Sequence, residues 1–365
     1  MDCAVAAQRS YLLEMSMKFG VLLDLRNSAR AEWFIPWPQL YAGALDHMVE
    51  LEHIGFDAVS LCEHHADPEG YNPGPITTLA AALTRTKTLR VGTNITQLPF
   101  HHPVLFAEEV ATLDIISGGR VDIGLGQVGR AFDMEFDLLG FNPRQRGTRF
   151  DEILQIMLRA WSEDEPFDFQ GKHFDLKGVW VYPKPLQRPH PPVWVVAQAE
   201  ASMERAARLG LGAGGPGGGF TSIASPTWRG WLAQWHAALA RYGRAPESAP
   251  TNIFVTSFIT DDPEKAWAAH REGIMEHFNY VRDGKYAYST MFGGEPPQTP
   301  EDMPNWQHIF LTAEDAIERY KAAYAGAAPS EIHVLGRRFG MTWDESAVYL
   351  RNFAERVMPA LRELS

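Results

Sequence analysis

Hydrophobic and polar positions along the chain alternate between two periods, one typical of buried strands and one typical of amphipathic helices. Short β-branched or aliphatic runs are each followed by a longer run with apolar residues at helical spacing. In residues 39–55, for example, Leu40, Ala44 and Leu51 fall on one helical face, and Gly55 ends the run. The pattern predicts strands at 18–24, 56–62, 89–95 and 120–126 and helices at 39–55, 74–87, 103–117 and 144–162. Four consecutive strand–helix units favour a parallel sheet.

The pattern pauses after the fourth unit and then resumes. Residues 167–192 predict a small hairpin that ends in a proline-rich connector. Further strands are predicted at 193–197, at the start of 210–220, at 252–260 and at 331–336, and helices at 200–209, 225–243, 263–278, 313–326 and 343–364. Eight strand candidates alternating with helices predict an α/β fold, a (β/α)8 TIM barrel with insertions after strands 4 and 7. An open doubly wound sheet is the alternative, but its first strand–helix turn lacks the glycine-rich dinucleotide fingerprint.

The chain is predicted to form one domain, residues 17–365, after an N-terminal extension. Met17 opens the first strand-like run, so residues 1–16 are interpreted as a loosely held extension or an upstream start. Insertions are expected near 164–192 and 279–311. The second contains several Gly, Pro and aromatic residues and is predicted to be a lid over a hydrophobic substrate, with a disordered surface insertion as the alternative.

Charge and cysteine content narrow the class of protein. The net charge is 33 − 45 = −12, which disfavours nucleic acid and anionic membranes as partners because both bind clustered Lys and Arg. No apolar run is long enough to span a bilayer, and the first residues lack a signal-peptide pattern. Cys3 and Cys62 are the only cysteines. A disulfide framework is therefore excluded and a cytoplasmic location is expected.

Chemically active side chains should lie where the barrel strands end. Strand 2 ends in Glu63, His64 and His65, and strand 3 is followed by His101 and His102. Neighbouring side chains of a strand point to opposite sides, so these residues do not have the spacing of a metal site, and no metal is expected. An imidazole suits proton transfer at neutral pH, while one histidine of each pair, His65 and His101, is expected to be structural. Cys62, with no adjacent Lys or Arg, is expected to be a buried, inert thiol.

A phosphate site is suggested by the strand–turn–helix segment around residue 200. Ser202 falls in the first turn of the predicted helix 200–209, where free N–H groups and the helix dipole favour an anion, although Ser202 could equally be an ordinary helix cap. The glycine tract 212–219 allows close approach of backbone to a ligand or forms a flexible loop. Arg130 either pairs with the same phosphate or faces solvent. These alternatives stay open at this point.

Taken together, the pieces resemble the bacterial luciferase-like flavin-dependent monooxygenase family over about residues 17–362. The resemblance rests on several pieces in the same order, among them "MKFGVLL", "GFDAVSLCEHH", "LRVGTNITQLPFHHPVLFAEEVATLDIISGGRVDIGLG", "RGTRFDEILQIMLRAW" and "NFAERVMPALREL". It implies a (β/α)8 barrel that binds FMN in reduced form, supplied by a separate flavin reductase. It also implies reaction with O2 through a flavin C4a-(hydro)peroxide and oxidation of a small, hydrophobic organic substrate.

The resemblance also implies site residues. His64 matches the family's active-site histidine and His102 a histidine that flanks the pocket, so both are expected to be catalytic. Asn94 and Ile95 match the flavin-face position, where a non-proline cis bond is usual. The remaining cofactor-binding positions expected from the match are Gly126, Gln127, Arg130, Gln198, Ala199 and Ser202.

Some positions depart from the luciferase pattern. A luciferase would carry Cys at position 126, Arg at 127 and Glu-Ser at 198–199, where this chain has Gly126, Gln127, Gln198 and Ala199. Light emission from a long-chain aldehyde is therefore not expected, and another group must replace the missing phosphate ligands. Two further functions stay open: a hydride-transfer oxidoreductase that uses the deazaflavin F420, and a non-catalytic flavin-binding subunit. Family members commonly form dimers, and either a homodimer or a heterodimer is compatible with the sequence.

Overall fold

A computed structural model of the protein describes most of the chain. The described residues are 17–28, 30–217, 219, 222–280, 299–302 and 309–364. The predictions for the extension 1–16 and for the lid within 279–311 therefore lie outside the described residues, apart from short flanking pieces. Within the described ranges, no helix combines the length and apolar character needed to cross a membrane.

Eight parallel strands close into a barrel, which confirms the predicted fold class. Each strand pairs with its neighbours along the chain, and the first strand also pairs with the last, so the alternative of an open sheet is excluded. The barrel strands are β1 (Lys18–Leu23), β2 (Ala58–Leu61), β3 (Arg90–Gln97), β4 (Val121–Gly126), β7 (Val193–Val196), β8 (Gly212–Gly214), β9 (Thr251–Val255) and β12 (Glu331–Leu335).

Helices surround the barrel and alternate with its strands. They are α1 (Trp37–Ile54), α2 (Pro75–Leu83), α3 (Pro103–Ser117), α4 (Asp133–Leu139), α5 (Arg146–Ser162), α6 (Glu200–Leu209), α7 (Trp228–Arg241), α8 (Pro263–Tyr280), α9 (Ala313–Tyr324), α10 (Trp343–Arg356) and α11 (Met358–Arg362). The α3 and α6 bounds are those predicted. The predicted helix 343–364 is divided at Val357, because Pro359 cannot donate the backbone hydrogen bond that a continuous helix needs. The short α4 was not predicted.

The first predicted insertion follows the expected barrel strand, whereas most of the second, 279–311, lies outside the described residues. After the fourth barrel strand, β5 (Phe167–Gln170) and β6 (Asp175–Val179) form an antiparallel hairpin. After the seventh, β10 (Phe258–Ile259) pairs with β11 (Phe310–Leu311) outside the barrel. The predicted strand 252–260 is therefore two strands, β9 and β10, of which only the first belongs to the barrel.

The hydrophobic core lies inside the barrel and between the barrel and its helices. Phe19, Val59 and Ile123 on the strands are fully buried or nearly so, and so are Leu51 and Phe353 on the surrounding helices. This double layer holds the strand ends rigid, and the carboxyl ends of the strands carry the polar residues described next.

Candidate active site

A cavity of about 220 Å³ opens at the carboxyl ends of the barrel strands. Packed protein interiors leave few voids larger than one water molecule, so a cavity of this size is a candidate ligand site rather than a packing defect. Its lining comes from β1 to β9 and the loops that follow them: Leu22, Cys62, His64, Tyr71, Asn94, Ile95, Phe132, Trp194, Val196, Gln198, Gly214, Gly215, Asn252, Ile253 and Phe254.

The His64 side chain is held on three sides at the edge of this cavity. Its Nδ1 lies 2.8 Å from Oε1 of Glu135, which is buried. Its ring lies between Tyr71 and Phe132, with ring centroids 4.3 Å and 4.4 Å away. Nδ1 also lies 3.2 Å from Gln97 Nε2. The Glu135 contact is the shorter one and a carboxylate only accepts hydrogen bonds, so we assign the hydrogen to Nδ1, which leaves Nε2 to exchange a proton with a bound molecule.

Glu135 was missed by the sequence analysis because it lies on α4, the helix that was not predicted. Its two carboxylate oxygens accept hydrogen bonds from the His64 ring and from the backbone N–H of His65. A usable signal was present, since Glu135 stands between apolar residues and next to Phe136, which is buried in the core. A buried carboxylate needs such partners, so α4 fixes the orientation of the active-site imidazole.

A second buried carboxylate, Glu63, holds the other two histidines of this region. Its Oε1 lies 2.8 Å from His101 Nε2 and 3.3 Å from His65 Nε2, and its Oε2 accepts a hydrogen bond from the Gln97 backbone N–H. Burial alone would raise the pKa of Glu63, but the neighbouring His101 and His65 lower it to about 2. His101 is hydrogen-bonded to Glu63, as expected for a structural histidine, whereas His65 Nε2 lies beside Glu63 Oε1 without a hydrogen-bond partner among the described residues. Among the described residues there is no group of three His, Cys, Asp or Glu side chains that could hold a metal.

The end of β3 presents an unusual backbone to the cavity. The Asn94–Ile95 peptide bond is cis, as the resemblance predicted, and both residues line the cavity. Nδ2 of Asn94 is buried and has no hydrogen-bond partner within the described part of the chain. The Ile95 side chain lies against Gly126, where an added Cβ would come within 2.5 Å of Ile95 Cδ1. An alanine at position 126 would therefore require the Ile95 side chain to shift.

The turn from β7 into α6 lies at the same mouth of the barrel. Gln198 lines the cavity, and the N-cap residue of α6, Ala199, has no side chain that caps the helix. Ser202, in the first turn, is buried and accepts a hydrogen bond of 3.1 Å from Gln127 Nε2. His64 and Gln198 thus reach one cavity from separate loops. The uncapped first turn of α6 leaves backbone N–H groups that could donate hydrogen bonds to an anion.

Glycines, which have no side chain, form part of the cavity wall opposite His64. Gly214 and Gly215 line the cavity, and a Cβ on Gly217 would come within 2.1 Å of the Phe254 carbonyl oxygen. Gly217 is therefore packed closely against the backbone of β9. A Cβ on Gly214 would similarly meet the ring of Trp194, at 2.6 Å, so this glycine makes room for the indole.

Six of the ten expected site residues do not line the cavity: Gly126, Gln127, Ala199, Ser202, His102 and Arg130. His102 is exposed, and its ring lies edge-on to Phe174, 5.9 Å between centroids, beside the hairpin. His101 rather than His102 turns inward, because adjacent side chains here point to opposite sides. Arg130 is exposed at the start of a short 3-10 turn.

Cys62 is buried on the cavity wall, as expected. Burial raises the pKa of its thiol far above the ordinary value, which keeps it protonated at neutral pH.

The chain is similar to known proteins over most of its length. The family model described as luciferase-like monooxygenase matches residues 17–323. The oxygenase component of a flavin-dependent trigonelline monooxygenase from Acinetobacter baylyi is 27% identical over 347 residues, 89% of this chain and 91% of that protein. The crystal structure of monooxygenase RslO1 from Streptomyces bottropensis superimposes with a TM-score of 0.78 at 26% identity, covering 94% of this chain and 99% of that one.

Other curated relatives match over about half of their length. One is an F420-dependent glucose-6-phosphate dehydrogenase from Amycolatopsis mediterranei. It is 27% identical over 198 residues, which is 52% of this chain and 56% of that protein.

Proposed function

We propose that this chain, which belongs to the luciferase-like monooxygenase family, is the oxygenase component of a two-component system. It would use reduced FMN and O2 to oxidise a small, hydrophobic organic substrate. The observation that carries the proposal is the His64–Glu135 pair at the edge of a cavity that Asn94 and Ile95 also line. Similarity to an oxygenase component over nine-tenths of the chain supports it.

The residues that line the cavity include groups that could hold the ring system of a flavin. Asn94 and Ile95 line the cavity, and the buried Nδ2 of Asn94 is a donor that an acceptor atom of the ring would satisfy. Gln198 and the uncapped start of α6 would hold the phosphate-bearing tail, because N–H groups at a helix start bind anions. Gln127 positions Ser202 in that turn. FMN, when bound and reduced, supplies the reactivity toward O2.

The protein's own contribution is proton handling and exclusion of water. Glu135 keeps the hydrogen of His64 on Nδ1, so Nε2 is the nitrogen that accepts or returns a proton. Tyr71 and Phe132 cover the two faces of the imidazole and leave only its edge open to the cavity. Apolar groups around a reacting centre keep bulk water away from it. His102 and Arg130, which do not line the cavity, would act only from outside it.

A separate flavin reductase, a dimeric assembly and a cytoplasmic location are proposed together with this function. The cytoplasmic location is in agreement with the two cysteines. A single domain over residues 17–365 is proposed as well.

An F420-dependent oxidoreductase is the second candidate, because F420-dependent relatives match half of the chain. Anaerobic titration with reduced FMN and, separately, with reduced F420 distinguishes the two. We expect reduced FMN to bind at least tenfold more tightly, and we expect O2 consumption and product formation from labelled dioxygen in its presence. Tight binding of F420 together with oxygen-insensitive turnover would overturn the proposal. Glu135→Gln is the companion variant: it keeps the shape of the side chain, and we expect it to slow oxygen-dependent turnover while leaving FMN affinity within about twofold.

A further inference from the structure

Asn252 is a buried polar residue that the proposed chemistry does not use. It lies on β9, is 5% exposed and lines the cavity. Its backbone oxygen accepts a hydrogen bond from the Gly215 N–H, so the main chain at this point is fixed. Its side-chain Nδ2 is buried and has no hydrogen-bond partner in the part of the chain that the structure describes. A buried amide without a partner costs free energy, which an acceptor on a bound ligand would recover.

The surroundings of Asn252 define what kind of ligand fits. Asn252 pairs in register with Gly214 of β8, and the Trp194 ring occupies the space where Gly214 would carry a side chain. An indole and a carboxamide donor therefore lie side by side on one wall. Ile253 and Val196, on either side, add apolar surface. Such a wall suits a flat ring that stacks on the indole and carries an acceptor at its edge.

The depth of Asn252 separates it from the proposed flavin position. Asn252 pairs with Glu331, the first residue of β12, and lies three residues before the end of β9. Gly126 is the last residue of β4, and Ile95 packs on it, so these two residues mark the rim. A ligand atom that reaches Asn252 has to enter below that rim.

We propose that Asn252 determines substrate specificity by donating a hydrogen bond from Nδ2 to an acceptor oxygen of a ring-bearing organic substrate that lies on Trp194. The substrate class is thus a flat cyclic compound with a carbonyl-type oxygen. This inference rests on the proposed function, because it takes the second ligand of the cavity to be the molecule that is oxidised.

Acetophenone and 2-phenylpropene test the inference, since both are planar at the carbon attached to the ring and differ only in the acceptor oxygen, which a CH2 group replaces. Their dissociation constants are measured by NMR on the full chain saturated with oxidised FMN, without turnover. We expect three- to tenfold tighter binding of acetophenone, the range for one neutral hydrogen bond. Asn252→Leu should reduce this preference to less than twofold. Asn252→Ala, which cannot clash with its neighbours, should do the same if the leucine variant does not fold.

Gln198→Leu is the matched control, because it removes a carboxamide from another wall of the cavity. At an FMN concentration raised to saturation, it should retain the preference for acetophenone. Equal binding of the two probes by the wild type, or an unchanged preference in both Asn252 variants, would overturn the inference. So would competition between acetophenone and FMN, or a loss of FMN affinity in Asn252→Leu, since either result would place the flavin against Asn252. Oxygen consumption is measured separately. A preference for acetophenone without oxygen-dependent turnover would contradict the proposed monooxygenase function, while the inferred binding site at Asn252 would stand.

Discussion

On the β2–β4 side of the cavity, charged and aromatic side chains hold one another, whereas on the β7–β9 side the space is shaped by glycines. The first side contains the pair His64–Glu135 and the group Glu63, His65 and His101. The second side contains Gly214 and Gly215, and the side-chain amide of Asn252, whose Nδ2 has no partner among the described residues.

The two sides of the cavity differ because one has to orient a proton-transfer group and the other has to leave room for a ligand. A proton-transfer group must keep one orientation, and buried hydrogen bonds provide that rigidity. A binding surface must leave room, and glycines provide room where a Cβ would fill it. The first side should therefore be sensitive in activity and pH, and the second in packing and affinity.

The largest effect is expected from His64→Ala. Removal of a positioned proton-transfer group lowers rates by about 10²- to 10⁴-fold, and we expect a loss of that size in oxygen-dependent turnover with FMN affinity retained. His102→Ala is the comparator, because His102 is exposed beside the hairpin. The rate of oxygen-dependent turnover in His102→Ala should stay within about twofold of wild type. Equal losses in the two variants would contradict the assignment of proton handling to the β2–β4 side.

Gly217→Ala tests the glycine side. The new Cβ would come within 2.1 Å of the Phe254 carbonyl oxygen, so β9 has to shift. We expect the free energy of unfolding to fall by about 1–3 kcal/mol, the range for overpacking, in urea denaturation.

Gly230→Ala is the matched control for this substitution. Gly230 lies within α7, where an added Cβ meets nothing within 4 Å. The free energy of unfolding should rise by about 0.5–1 kcal/mol, since alanine loses less conformational entropy in a helix. Destabilisation of both variants to the same extent would show that the glycine tract is not specifically packed.

Glu63→Gln should lower the free energy of unfolding at neutral pH by about 1–3 kcal/mol, because His65 and His101 lose their charged partner. The pKa of Glu63 is lowered in the folded protein to about 2, from an ordinary value of about 4.3. Its contribution is therefore fully present above pH 4.3 and is lost as the pH falls toward 2.

Urea midpoints of wild type and Glu63→Gln at pH 7, 5, 4 and 3 check this prediction. The difference should be constant from about pH 5 upward through the acid range and should shrink below about pH 4.3. The pKa of His65 is raised, against the effect of burial, by the neighbouring Glu63 carboxylate. The stabilisation that His65 contributes is present below its ordinary pKa of about 6.5 and declines as the pH rises through the raised value. A difference that grows as the pH falls below about 4.3 would be incompatible with the Glu63 contacts.

The smallest effect is expected at Cys62, which lines the cavity but whose thiol has a strongly raised pKa owing to burial. In a Cys3→Ser background, iodoacetamide at pH 8 should leave the folded protein unlabelled and label the urea-unfolded protein fully. Rapid labelling of the folded protein would mean that the wall around Cys62 opens to solvent.

Much of the fold follows from local pattern. The helices at 103–117 and 200–209 have the bounds that periodicity predicts, and eight strand–helix alternations suffice to indicate a barrel. Strand ends also point to His64, Asn94, Ile95 and Gln198, because a parallel barrel brings all its carboxyl ends to one face. What the periodicity does not contain is the short α4 and the division of the last helix at Val357.

The sequence by itself determined the alternating elements, the barrel class and the strand-end residues that could do chemistry, since these depend on neighbours a few positions apart. Only the tertiary structure decided that Glu135 holds His64, that His101 rather than His102 turns inward, and that Asn252 faces the cavity beside Trp194. These contacts join residues from different strands and loops, and which of them meet depends on how the barrel closes and in which register its strands pair.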